Sequence, residues 1–104
     1  MRDDPGFEVR ARQGLRRRSL SNGSIAVFDP RSWRTHIVDG AAAMLLTLLV
    51  EHGAHRVDGL ADALDLADAG LSSREAQALV DRALSELQGC DLIERDRTVS
   101  GRDR

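Results

Sequence analysis

Lysine and tyrosine are both absent from this 104-residue chain, and cysteine occurs once, at Cys90. A single thiol makes no internal disulfide, which excludes a disulfide-stapled scaffold and points to a reducing compartment. All fifteen basic residues are arginine, a bias that fits the codons of a GC-rich bacterial genome. Phe7, Phe28 and Trp33 are the only aromatics, so any core must rest on Leu, Val, Ile and Ala. The longest apolar run, Ala41 to Val50 with Thr47 inside it, is far short of the ~20 residues a membrane helix needs. Met1 to Gly6 are polar and lack the apolar centre of a signal peptide. The expected location is the cytoplasm, with no membrane partner.

The residues that carry chemistry are equally sparse. The nine glycines are scattered singly, so there is no glycine-rich phosphate loop. A zinc site built on His52, His55 and Cys90 lacks a fourth ligand; His52 reads instead as a cation near a helix C-terminus. His36 has no nucleophile and orienting acid placed around it by the sequence. Asp58, Asp62, Asp65 and Asp68 lack the alternate spacing and central glycine of a calcium loop, and read as a solvated helix face. Cys90 reads as a small apolar side chain. The expectation is a binding domain that is not an enzyme, with no catalytic residue, no metal and no cofactor.

What is present suffices for one domain: 104 residues, 41% of them apolar. Residues 1–13 are expected to be a flexible segment, with at most a brief extension at Phe7 to Ala11. Leu15 to Leu20 then leads into Ser21-Asn22-Gly23-Ser24. Asn22-Gly23 predicts a two-residue type I′ hairpin turn, which would set Leu20 opposite Ile25 and Arg18 opposite Val27. Ile25 to Asp29 forms the return strand. Asp29-Pro30-Arg31-Ser32 fits a type I turn, and Arg34 to Val38 follows as a third strand. The result is an antiparallel meander whose outer strand has a free edge.

Helices follow. Asp39 is placed to cap a first helix over residues 41–50, apolar nearly all round and therefore expected to be central, with Gly53 ending it. Val57, Leu60, Ala61 and Leu64 mark a short second helix. Ser72-Ser73-Arg74-Glu75 is a capping box, after which Ala76, Leu79, Val80, Ala83, Leu84 and Leu87 trace one face of a 3.6-residue period. Leu92-Ile93 packs back on the core, and 95–104 reads as a disordered, charged tail. The fold class is thus α+β: a three-stranded antiparallel β-meander followed by three α-helices, winged helix-turn-helix-like, over residues 14–94.

Charge divides unevenly. Residues 1–38 carry eight arginines against four acids, and residues 39–104 seven against thirteen. The run Arg16-Arg17-Arg18, with Arg10 and Arg12 upstream, invites a nucleic-acid reading. In a strand, however, neighbouring arginines point to opposite faces. The third helix, which would enter a groove, carries Arg74 and Arg82 against Glu75, Asp81 and Glu86, a poor match to phosphates. Nucleic acid is therefore disfavoured, and a winged-helix DNA-binding transcriptional regulator stands as the alternative function.

The run Ile25-Ala26-Val27-Phe28-Asp29-Pro30-Arg31-Ser32, followed by Thr35-His36-Ile37-Val38-Asp39, the Ala/Leu-rich helix and Leu87-Gln88-Gly89-Cys90-Asp91-Leu92-Ile93, resembles the PqqD-like family of peptide chaperones. The closest likeness is to the branch associated with HPr-kinase-related systems. It covers about residues 14–94. Three positions depart from the pattern: Trp33 where Gly often closes the turn, Gly40 where Pro often follows the cap, and Arg56 where a capping Ser or Thr usually stands. The resemblance implies a recognition element that binds the leader segment of a ribosomally made precursor peptide as an added strand. The strand would lie between the third strand and the third helix, and the complex would be presented to a separate peptide-modifying enzyme. An open meander edge is compatible with strand addition, and also with a homodimer through that edge. The residues expected to line the site are Arg34, Thr35, His36, Ile37 and Val38 from the strand, with Gln77, Val80, Asp81 and Leu84 from the helix.

Overall fold

In the computed structural model, which describes residues 7–66 and 69–97, the elements run in chain order as follows. Strands β1 (Phe7–Ala11), β2 (Arg16–Ser19), β3 (Ile25–Asp29) and β4 (Arg34–Val38) lead into helix α1 (Gly40–His52). Then come β5 (His55–Arg56), a 3₁₀ turn (Val57–Gly59), α2 (Leu60–Ala63), α3 (Ser73–Gly89) and β6 (Ile93–Arg97). The architecture is α+β, with three helices and two antiparallel three-stranded sheets, ordered β2-β3-β4 and β5-β1-β6. The predicted meander and helices are therefore present, but they share the chain with a second sheet.

That second sheet corrects the expectation of flexible ends. β1 is its central strand, with Val9 fully buried, and it pairs with His55–Arg56 on one side and Ile93–Arg97 on the other. Arg95–Arg97 thus belong to a strand rather than to a loose tail. The pairing was hidden because both partners of β1 lie more than forty residues away in sequence, and no local signal reports such a contact. The remaining residues expected to be flexible, 1–6 and 98–104, lie outside the described residues, as does Asp68.

The first hairpin also departs from the expected register. Ser19 faces Ile25, Arg18 faces Ala26, Arg17 faces Val27 and Arg16 faces Phe28, one residue away from a two-residue loop. Leu20 N–H donates to Ser24 O at 2.8 Å and Gly23 N–H to Leu20 O at 3.2 Å, so the loop is Ser21-Asn22-Gly23. Only Gly23 takes a positive φ, of 87°; the Asn22 side chain instead accepts from Ser24 N–H at 3.1 Å. A turn followed by a left-handed glycine is the usual three-residue hairpin, and the shift of one residue exchanges the two faces of β2.

α1 buries Ala42, Ala43, Leu45, Leu46 and Leu49 but leaves Met44 and Val50 exposed. It is flanked by other elements rather than surrounded by them. Asp39 occupies the N-cap position without a side-chain cap hydrogen bond, and the chain enters the helix through Gly40 at φ 58°. In α3 the capping box is formed as expected: Ser72 N–H donates to Glu75 Oε1 at 2.9 Å and Glu75 N–H to Ser72 Oγ at 3.1 Å. Its predicted apolar face is the observed one, with Ala76, Val80, Ala83, Leu84 and Leu87 buried. These side chains join Val9, Val27, Val38, Leu60 and Leu92 in one core. Each fully buried Val or Leu contributes about 1.5–3 kcal/mol, against roughly 0–1 kcal/mol for an exposed ion pair. The core therefore outweighs the surface charges in holding the fold.

Candidate peptide-binding edge

Every sheet edge is a row of unpaired amides and carbonyls that can recruit another chain, and proteins blunt most of theirs by shortness or charge. Among the described residues the edge strands are β2 and β4 in one sheet and β5 and β6 in the other. β5 has only two residues, and β6 reads Ile-Glu-Arg-Asp-Arg. β2 is Arg-Arg-Arg-Ser, exposed throughout. β4 spans five residues and presents Thr35, His36 and Ile37 at its centre. It is the least defended of the four.

Alternation along β4 sets two faces. Arg34, His36 and Val38 lie opposite Asp29, Val27 and Ile25, on the core side; Thr35 and Ile37 lie opposite Phe28 and Ala26, on the outward side. On the core side a groove of about 360 Å³ opens between β4 and the end of α3, lined by Asp29, Ser32, Arg34, His36, Gly89, Cys90 and Asp91. A larger depression of about 640 Å³ lies between α1, the Asn22-Gly23 turn and α2. It borders no β4 residue, so it offers an added strand no hydrogen-bonding edge.

One end of the β4 groove is held by an ion network. Asp29 is almost fully buried. It accepts from the Arg31 backbone N–H at 2.9 Å, from Arg31 Nε at 3.2 Å and from Arg31 Nη2 at 2.8 Å. Burial pushes the Asp29 carboxyl up, but the hydrogen bonds and charge of Arg31 outweigh it and hold the group below the ordinary carboxylate value. Arg31 Nη2 also donates to Asp91 O at 3.0 Å, and Arg12 Nη2 reaches Asp91 Oδ1 at 2.7 Å. Asp91 is held low chiefly by the Arg12 hydrogen bond. Arg12 Nη1 continues to Glu94 Oε2 at 3.1 Å. The network thus links the β3–β4 turn to the second sheet, and Arg10 and Arg12 belong to it rather than to a basic surface shared with Arg16–Arg18.

The nine expected site residues are not gathered in one place. Arg34 and His36 line the groove; Thr35 and Ile37 are exposed on the outward face. Val38, Val80 and Leu84 are buried core residues, which corrects their assignment to a lining. Gln77 and Asp81 are exposed one helical turn apart, and Gln77 Nε2 donates to Asp81 Oδ1 at 2.9 Å. Gln77 borders a separate depression with Ser72 and Ser73. The part of the helical region that borders the β4 groove is the C-terminal end of α3, at Gly89 and Cys90. The sequence signal for those residues was Gly89 as a helix stop; the crossing point of helix and strand has no local signature.

No family model matches the chain, and neither does any curated protein or solved structure. Among the described residues no helix is long and apolar enough to cross a membrane, and no group of three or more His, Cys, Asp or Glu is placed to hold a metal ion.

Proposed function

We propose that this chain is a non-catalytic, winged-helix-like recognition domain of the bacterial cytoplasm that binds an extended peptide by adding it as a strand to β4. The observation that carries the reading is the contrast among the sheet edges: three are short or charged along their length, whereas β4 spans five residues with a single charge, Arg34, at its start, and a groove runs beside it. The occupant is the leader segment of a ribosomally made precursor peptide, delivered to a separate modifying enzyme. The added main chain pairs with the open edge, and alternate side chains fall into the groove beside Arg34, His36 and Cys90.

The test is an NMR titration of the full chain with a synthetic leader from a short precursor encoded beside its gene. Amide shifts should concentrate at residues 34–38 and 89–91. Shifts confined to residues 16–18 would overturn the assignment of the edge. α3 argues against the regulator alternative, because its exposed Glu75, Asp81 and Glu86 outnumber Arg74 and Arg82.

A further inference from the structure

The outward face of the β2-β3-β4 sheet carries a second set of features that strand addition at β4 does not use. Direct cross-strand pairing sets Arg16, Phe28 and Thr35 in one row and Arg18, Ala26 and Ile37 in the next. Arg16 and Arg18 enter no ion pair or side-chain hydrogen bond among the described residues. Two residues apart on one strand, they project roughly 6.6 Å apart on the same side, which suits successive phosphates of an extended strand. A shallow depression of about 230 Å³ lies here, lined by Arg16, Arg17, Arg18, Ala26, Phe28 and Thr35.

Trp33 stands at the end of the first row. Its ring meets Phe28 edge to face, with centroids 5.9 Å apart and planes at 76°. The residue is 82% exposed and sits at φ 60°, in the left-handed region where glycine is the low-cost residue and a bulky side chain is strained. Backbone and solvent both oppose an indole there, so the fold gains little from it that glycine would not supply. Such an outlier points to a contact with something else.

We propose that this face binds single-stranded nucleic acid, with Arg16 and Arg18 on successive phosphates and the rings of Trp33 and Phe28 stacking on bases. An exposed indole with a half-buried phenyl ring, beside two arginines on one strand of a sheet, is the equipment such binding requires. The patch is a handful of side chains, against the 20–30 residues per partner of an ordinary stable protein interface. That favours a narrow, extended ligand over a folded protein. The acidic α3 that argues against a duplex lies elsewhere and takes no part.

The experiment titrates the full chain into fluorescein-labelled 12-mers of deoxythymidine and of uridine at about 50 and 150 mM salt. Anisotropy is followed together with the emission of Trp33, the single tryptophan. Saturable binding that quenches Trp33 and weakens with salt is expected. The Arg16→Gln, Arg18→Gln double variant should bind at least tenfold more weakly, with the log–log salt slope reduced by about 1.4. Trp33→Gly should lose about tenfold while its melting temperature stays within a few degrees of the native value, which separates a lost contact from a lost fold. Absence of binding by the native chain at 50 mM salt would overturn the proposal. So would binding indifferent to these substitutions, or equal affinity for polyglutamate, which would mark the face as a docking surface for an acidic protein. Because the leader titration reads β4 and the end of α3, either proposal can fail while the other stands.

Discussion

β2 and β4 flank the same central strand, yet a chain approaching the sheet meets three consecutive arginines on one side and Thr35, His36 and Ile37 on the other. Both strands have the same backbone to offer. The difference is what each would demand of a partner: at β2 a second copy of the strand would bring arginine against arginine, whereas β4 sets up no such repulsion at its centre. A sheet with one guarded edge and one open edge recruits a strand in one place only, and side-chain charge rather than hydrogen-bonding capacity decides which.

Within β4 the contrast between neighbouring positions is steeper still. Val38→Asp would place an unpaired charge in the core and should destabilise the fold by about 3 kcal/mol or more, read by urea denaturation. If the protein tolerated it, the core face of the sheet would be misassigned. Lowering the pH attacks the ion network at the end of the groove. Asp29 and Asp91 both have folded-state values below their ordinary ones, so their stabilisation is fully present above the unfolded-state value near 4. It is lost as pH falls through the folded-state values below that. Melting temperature against pH should therefore drop below about pH 4, and Asp91→Asn should flatten part of that drop.

The next two changes test the edges themselves. Thr35→Arg with Ile37→Arg gives β4 the armour of β2; stability should move by only about 0.5 kcal/mol, while affinity for an added strand should fall at least tenfold, measured by calorimetry. Unchanged affinity would mean that charge does not separate the two edges. The smallest expected effect is that of Trp33→Gly on stability. Relief of the left-handed conformation, about 1–2 kcal/mol, is offset by the lost ring pair, about 0.5–1.5 kcal/mol, and by the greater flexibility of glycine in the unfolded chain. The net change should lie within about 1 kcal/mol, and a larger loss would assign Trp33 to the fold rather than to a ligand.

Much of the meander and of α3 was legible from local chemistry. Pro30 marked one turn, Ser72 with Glu75 marked a helix start, and the spacing from Ala76 to Leu87 named the buried face. The central place of β1 was not legible, because a strand of five residues declares itself only through partners that the chain brings back much later. Of the candidate site, the strand Arg34 to Val38 was legible as an element, but Val80 and Leu84 are core residues and the groove beside β4 is bordered by Gly89 and Cys90 instead. Periodicity tells which face of a helix is apolar; it does not tell at what height another element crosses it.

The sequence by itself determined that the chain has an aliphatic core and two turns that generate an edge strand, since each follows from residue type and local spacing. Tertiary structure alone decided the single-residue register of the first hairpin. That register puts Arg16 and Arg18, rather than Arg17, on the outward face with Phe28. The reason is physical: Asn-Gly suits both a two-residue and a three-residue loop, and β2, exposed at every position, carries no buried face that would fix the register from its own residues. The same holds for β4, whose openness is a property of what the folded chain leaves beside it.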